Sequence, residues 1–327
     1  MRIFLAPMEG VIDHHMRSLL VAIGGIDLCV TEFIRVTDHL LPNKVFFRYS
    51  PELFTGGATS QGCPVRVQLL GSHPAALAMN AKKAAQLGAP AIDLNFGCPA
   101  KTVNRHRGGA CLLEEPDLLE EIAGSVRAAV PDSIPVTAKI RLGYHDRTPY
   151  LANAIALARA GVSEIVVHAR SKADGYKPPA YWECIDEIRE AVSIPVVANG
   201  EIWNVDDFLL CRERSGCHNI MLGRGILAQP DLALAIKACV NERRHCGLSW
   251  RDVARHLLDF YRATRHNYPK KYLGNRLKQW LFYLKLQYPE AETLFEEIKK
   301  SRDDQVITDA LVRAANVTDK KFTDCAA

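Results

Sequence analysis

The sequence predicts an α/β protein, a (β/α)8 TIM barrel followed by a small all-helical C-terminal domain. Three observations carry this reading. Eight short apolar, β-branched-rich segments recur about every 31 residues through the first 240 positions of the 327-residue chain. Helix-like stretches separate them. After residue 240 the alternation gives way to apolar residues at helical spacing. Alternating strand and helix at this period argues for a parallel sheet, and eight units in about 240 residues match a closed barrel better than an open one. An open dinucleotide-binding sheet would carry G-x-G-x-x-G after its first strand, or a G-x-x-x-x-G-K-[ST] loop. The sequence has neither.

The expected strands are residues 3–6, 28–33, 65–70, 91–96, 136–142, 164–170, 195–200 and 219–224, with helices at 74–87, 116–130, 151–160 and 205–214 among those between them. Beyond the barrel, Ser249 is placed to cap a helix whose apolar stripe is Trp250, Val253, Ala254, Leu257, Leu258 and Tyr261. Leu277, Trp280, Leu281 and Leu284 repeat the pattern, and a third helix is expected from Pro289. The domain plan is therefore a barrel at 1–244, a helical domain at 245–316 and a C-terminal tail at 317–327.

Composition narrows the class. Forty-eight per cent apolar and 24% charged residues describe an ordinary globular chain, and a net charge of +4 is too mild to name a partner. No stretch approaches the roughly 18 apolar residues of a membrane helix. The apolar start from Ile3 is stopped by Pro7 and Glu9, which argues against an export signal. A cytoplasmic protein with reduced thiols is expected. The ten cysteines form no C-x-x-C pair, so no metal site is expected and most should be small buried hydrophobes.

Charge separates the two parts. Residues 1–240 hold 24 Lys and Arg against 25 Asp and Glu, whereas residues 241–327 hold 17 against 12. Residues 262–285 contain seven basic residues, no acidic one, and the aromatics Tyr268, Tyr272, Trp280, Phe282 and Tyr283. Cations take phosphates and rings stack on bases, so this strip fits a nucleic acid better than a merely solvated helix face.

In such a barrel the active site lies at the C-terminal ends of the strands. Those ends read Pro7-Met8-Glu9, Glu32 with Arg35, Gln68, Asn95-Phe96-Gly97-Cys98-Pro99, Lys139 with Arg141, His168 with Arg170, Asn199-Gly200-Glu201, and Gly223-Arg224-Gly225. The last two supply glycines and a guanidinium where these barrels bind phosphate. Cys98 differs from the other cysteines because Gly97 and Pro99 fix its direction. With a reference pKa of about 8.5 it can donate a proton, or attack as a thiolate if a cation lowers its pKa. Lys139 could form a Schiff base or meet a cofactor's electron-rich edge, and His168 could be a base, a cofactor donor or a core histidine.

Ala6-Pro7-Met8-Glu9-Gly10, Asp93-Leu94-Asn95-Phe96-Gly97-Cys98-Pro99 with Lys101 and Val103, Gly108-Gly109-Ala110, Ala198-Asn199-Gly200-Glu201-Ile202 and Gly223-Arg224-Gly225 resemble the tRNA-dihydrouridine synthases. Thr31-Glu32-Phe33-Ile34-Arg35 and Arg276-Leu277-Lys278-Gln279-Trp280-Leu281 resemble the bacterial C-type members, which act on uridine 16 of the tRNA D-loop. The resemblance implies an FMN barrel, a tRNA-binding helical domain, and NADPH, with NADH as a second option, as reductant. It implies that Pro7, Met8, Glu9, Gln68, Lys139, His168, Asn199, Gly200, Glu201, Gly223 and Arg224 hold FMN and that Cys98 donates a proton. It further implies that Arg35, Asn95, Tyr176, Arg276, Lys278, Tyr283 and Lys299 meet tRNA. Arg105-His106-Arg107 depart from the family, which commonly has small residues there. The expected partner is tRNA, with no membrane, no obligate protein partner, and a monomeric state. Two other readings stand beside this one: a flavin barrel acting on a small dihydropyrimidine-like molecule, and a non-catalytic RNA-binding protein.

Overall fold

The computed structural model describes residues 1–316; the expected tail at 317–327 lies outside the described residues. Its nine strands are β1 (Ile3–Leu5), β2 (Leu28–Val30), β3 (Ile34–Arg35), β4 (Val65–Leu70), β5 (Ile92–Phe96), β6 (Val136–Arg141), β7 (Ile165–His168), β8 (Val196–Asn199) and β9 (Asn219–Leu222). All neighbours run parallel. Strand β1 pairs with both β9 and β2, and β2 pairs with β4, so eight strands close into a barrel. The ninth, β3, extends the line of β2 and pairs the upper end of β4 through Ile34↔Leu69 and Arg35↔Leu70.

The single strand expected at 28–33 is thus interrupted at 31–33. The Thr31 hydroxyl there accepts the Gln68 backbone N–H at 3.0 Å, a bond from a side chain where the ladder would use a carbonyl. Glu32 turns away and accepts the Gly10 N–H across the loop after β1. The other seven expected strands fall on observed ones, Val65–Leu70 without change and the other six shorter by one to three residues. Helices Pro74–Gln86, Pro116–Ala129, Tyr150–Arg159 and Val205–Ser215 stand where helical periodicity places them.

A strand in a closed barrel is buried on both faces, so alternation sorts side chains between the lumen and the helix layer. Part of the lumen is apolar: Phe4, Ala6, Leu28, Val30, Val166, Val197 and Met221 form one buried cluster. Strands β4 to β6 carry polar groups at alternate positions instead, with Arg66 and Gln68, Asp93 and Asn95, then Thr137, Lys139 and Arg141. Near the N-terminal ends of the strands, Glu164 accepts from Arg66 at 2.7 Å and from Arg2 at 2.5 Å, and both guanidinium groups lie over the Phe4 ring.

Two compact units divide the chain. The first comprises Met1–His14, Ile26–Ile202 and Asp206–Gly223 and holds the whole barrel sheet. The second comprises His15–Gly25, Trp203–Val205 and the chain from Arg224 onward. Within the second, Ser249 caps the helix Trp250–Thr264 as expected, its hydroxyl accepting from the Asp252 N–H. Helices Asn275–Leu284 and Pro289–Ile298 follow. A further helix, Asp304–Asn316, was not separately legible because its buried stripe is short and half alanine: Ile307, Ala310, Leu311 and Ala315. Trp280 anchors the unit, edge-on to Phe260 at 5.5 Å and donating its indole N–H to the Leu227 carbonyl.

The Arg66–Glu164 pair makes a stability prediction. Removing the carboxylate leaves the buried Arg66 without its counter-charge, which costs about 3–5 kcal/mol. Glu164→Ala should lower the urea midpoint accordingly, and Glu164→Gln by less, since its amide oxygen still accepts. Equal midpoints for Glu164→Ala and the parent would refute this.

Candidate active site

The C-terminal end of β5 is governed by a chain of bonds whose direction is set by backbone donors. The N–H groups of Gly97 and Cys98 both donate to Asn95 Oδ1, at 3.0 and 2.9 Å. With its oxygen so used, Asn95 presents its NH2 to Gln68 Oε1 at 2.7 Å. Gln68 in turn must present its NH2 to Asp93, which accepts at 2.7 Å. The other Asp93 oxygen accepts from the Thr137 hydroxyl at 2.6 Å. Burial pushes the Asp93 carboxyl up, while the Gln68 and Thr137 donors and the charges of Arg66 and Lys139 act against it. The two backbone donors at one end and the buried Asp93 carboxylate at the other thereby fix which way both amides point.

The beneficiary is Cys98. Its carbonyl is clasped by the Ala110 N–H and the Asn104 amide, each at 3.0 Å. A side chain at position 109 would put its Cβ 2.7 Å from that carbonyl, so Gly109, at φ +69°, is the residue that lets the loop close. The thiol packs with Phe33, Leu70, Val103 and Ala100 and is 9% exposed. That burial pushes the thiol up, and Glu9 adds to it. The Ala100 N–H and the charges of Arg141 and Arg35 pull the other way without reversing the shift. Between the two roles open from sequence, the site favours a protonated thiol over a thiolate.

Facing this loop, Lys139 donates to Asn199 Oδ1 at 3.0 Å, and Asn199 donates to the Met221 carbonyl at 2.8 Å. Burial, with Arg141 nearby, lowers Lys139 to about 8. His168 pairs in register with Asn199. A Cβ on Gly200 (φ +116°) would lie 2.7 Å from the His168 ring, so only glycine allows ring and backbone to meet. The carboxylate of Glu201 is taken by the fully buried Arg170 at 2.6 Å, which leaves its backbone as what it can offer a ligand. A Cβ on Gly223 would lie 3.8 Å from Met8 Sδ. Pro7 is half-buried and Glu9 exposed on the same loop. Arg224 opens the next helix in the second unit, over the Trp203 ring at 4.9 Å. The donor set of an amide, an ammonium and an imidazole beside a glycine cradle fits the electron-rich edge and phosphate of FMN.

The residues expected to meet RNA divide between the units. In the first, exposed Arg35 ends β3, Asn95 is spent on the amide chain, and Tyr176 is 52% exposed with its ring 6.0 Å from His168. In the second, Arg276 bonds Gln279, Lys278 donates to the Ser301 carbonyl, Lys299 pairs with Glu296, and Tyr283 lies edge-on to Phe282. Sequence reasoning gave no role to Asp93, Thr137 or Arg141. Arg141 donates to the carbonyls of Gly97, Ser171 and Gly175, tying the Cys98 loop to the loop after β7. The signal for all three was a polar residue at a lumen position of an apolar strand. Among the described residues no disulfide and no metal-binding cluster occurs.

The directional chain is testable. Asp93→Asn can keep it, because the amide oxygen can face Gln68 while Thr137 turns to the Ile92 carbonyl, 3.4 Å away. Asp93→Leu cannot, and strands the Gln68 donor at a cost of about 1–3 kcal/mol. The urea midpoint should fall clearly further for Asp93→Leu than for Asp93→Asn; equal losses would contradict the stated direction of the amides.

The dihydrouridine synthase (Dus) family profile matches residues 4–320. The chain is 53% identical over 303 residues to the tRNA-dihydrouridine(16) synthase of Pseudomonas putida, covering 93% of this chain and 94% of that one. It is 50% identical over 314 residues to the enzyme of the same name from Shewanella oneidensis, covering 96% and 98%. Among solved structures, a 2-naphthoyl-CoA reductase superposes with a TM-score of 0.56 at 14% identity, over 74% of this chain and 50% of that one. A 6-hydroxypseudooxynicotine amine oxidase from Pseudomonas geniculata does so at 0.55 and 14%, over 80% and 50%. These two share the barrel fold. On the family match and the close relatives together, the chain belongs to the dihydrouridine synthase family.

Proposed function

We propose that this chain reduces the C5–C6 double bond of a D-loop uridine in tRNA, at position 16, with FMN as resident cofactor and NADPH as reductant. The single observation that carries the mechanism is the burial of the Cys98 thiol, which pushes its pKa up, on a loop fixed from both ends. Reducing the base adds a hydride at C6 and a proton at C5. When bound, FMN supplies the hydride, replenished by NADPH. Cys98 supplies the proton, and its thiolate is reprotonated from solvent.

Gln68, Lys139 and His168 would hold the ring system, and the turns at Asn199-Gly200-Glu201 and Gly223-Arg224 its phosphate. Pro7, Met8 and Glu9 complete that wall. A uridine in a folded tRNA must leave its stack to reach the mouth of a barrel, and exposed Arg35 and Tyr176 are the groups there to receive it, while Asn95 acts by holding the Cys98 loop. The second unit would dock the rest of the RNA through Arg276, Lys278, Tyr283 and Lys299. The functional division at 244/245 then separates chemistry from docking and differs from the compact units, which part after Gly223. A cytoplasmic, monomeric enzyme fits this reading, and no helix among the described residues is long and apolar enough to cross a membrane. Exposed Tyr272 beside Lys271 and exposed Phe282 beside Lys285 weigh against a small-molecule substrate, and the fixed Cys98 weighs against a purely binding role.

Two outcomes are expected. Cys98→Ala should retain FMN and oxidise NADPH but turn over tRNA about 10²–10⁴-fold more slowly, because only the second half-reaction needs the acid. Normal tRNA turnover by this variant would remove the proton-donor role, and dihydrouridine mapped to another position would remove uridine 16. Lys139 is a cation below about pH 8 and neutral above it. FMN uptake by flavin-free protein should therefore weaken as pH rises through about 8, a step absent in Lys139→Met. An affinity flat across that range would exclude a charge contact from Lys139.

A further inference from the structure

The loop that carries Cys98 ends in a basic tip that neither the barrel's packing nor the reaction uses. Residues 98–113 contain Lys101, Arg105, His106 and Arg107 and no acidic residue. Lys101 and Arg105 are the ends of one short helix, Lys101–Arg105, and their i, i+4 spacing puts both on one face. Like charges so placed repel, a small cost the local fold does not recover. Both side chains are exposed, as is His106, and among the described residues none of the three has a side-chain hydrogen bond or ion pair. Three other cations of the barrel unit, Arg66, Arg141 and Arg170, are by contrast buried and bonded.

The tip is held in shape. Arg107 sits in the left-handed region at φ +55°, a conformation that costs an ordinary side chain roughly 1–2 kcal/mol. Its guanidinium is retained by both oxygens of Glu115, at 2.7 Å each. Arg107 is thus spent on geometry, which leaves Lys101 and Arg105 as the outward charges. Asn104, between them, bonds the carbonyls of Cys98 and Ala100 and accepts the Cys111 N–H. The short helix that carries both cations is therefore tied to the backbone at Cys98.

We propose that Lys101 and Arg105 form a two-cation clamp on backbone phosphates of the substrate RNA, close to the nucleotide that reaches Cys98. The proposal rests on the tRNA reading above and adds to it an electrostatic contact in a unit whose overall charge is close to neutral. Phosphate contacts position the RNA without reading sequence. They also act equally in the bound and reacting complexes, so their loss raises KM and leaves kcat in place.

The test measures binding of unmodified tRNA transcript to the FMN-loaded protein across a salt series, together with tRNA turnover. Each cation removed in Arg105→Ala and in Lys101→Ala/Arg105→Ala should lower the slope of log K against log salt by about 1. Affinity should weaken in step, with kcat/KM reduced and kcat at saturating tRNA retained. Lys82→Ala, an equal charge change on an exposed barrel helix, should do none of this. Slopes unchanged from the parent, or shifted as much by Lys82→Ala, would overturn the clamp while leaving the tRNA reading intact. A fall in kcat with unchanged slope would instead assign the tip a purely structural role and also overturn it. Failure of the parent protein itself to bind tRNA would remove both the reading and the clamp.

Discussion

Much of this site depends on one acceptor, the side-chain oxygen of Asn95. Two backbone N–H groups at the turn after β5 have no ladder partner, and both are satisfied there. From that point the hydrogen-bonding polarity runs inward through Gln68 to Asp93 and Thr137 without a free choice of orientation. The Cys98 backbone is held by Asn95, and the orientation of the Gln68 amide follows from Asn95 on one side and the buried Asp93 on the other. A network of this kind stabilises only when every member is matched, as these are.

Charge within the lumen is distributed with the same economy. Arg66, Glu164 and Arg2 neutralise one another near the N-terminal ends of the strands. Lys139 and Arg141, near the other end, form no ion pair with a carboxylate among the described residues, although Asp93 acts on Lys139 from a distance, and burial lowers the pKa of both. Enclosed cations that make no ion pair at the barrel mouth are suited to an anionic ligand. The thiol among apolar neighbours is the complementary case: desolvation holds it neutral and able to donate.

The barrel was legible because eight apolar runs at an even period leave little alternative, and the Ser249 cap because its pattern is local. The break at 31–33 was not legible, since Thr31 is a good strand residue and only the position of Gln68 turns its hydroxyl into an acceptor. Cys98, Lys139 and Asn199 could be picked out because polar residues at strand ends stand out against apolar strands. Asp93 and Thr137 could not, because their role lies in partners 25 and 44 residues away. Arg107 hid its meaning in a dihedral angle: a sequence shows three basic residues in a row but not that the third is folded back onto Glu115.

The central claim is that the fold keeps Cys98 as a neutral thiol, aimed and ready to donate a proton. The most direct measurement is the rate of Cys98 alkylation by iodoacetamide as a function of pH in the flavin-loaded protein, with modification at this residue followed by peptide mass. The account predicts that reactivity rises only above the pKa of an ordinary cysteine, the direction in which burial moves this thiol. Full reactivity already at neutral pH would mean a standing thiolate, and would contradict the assignment of Cys98 as the proton donor.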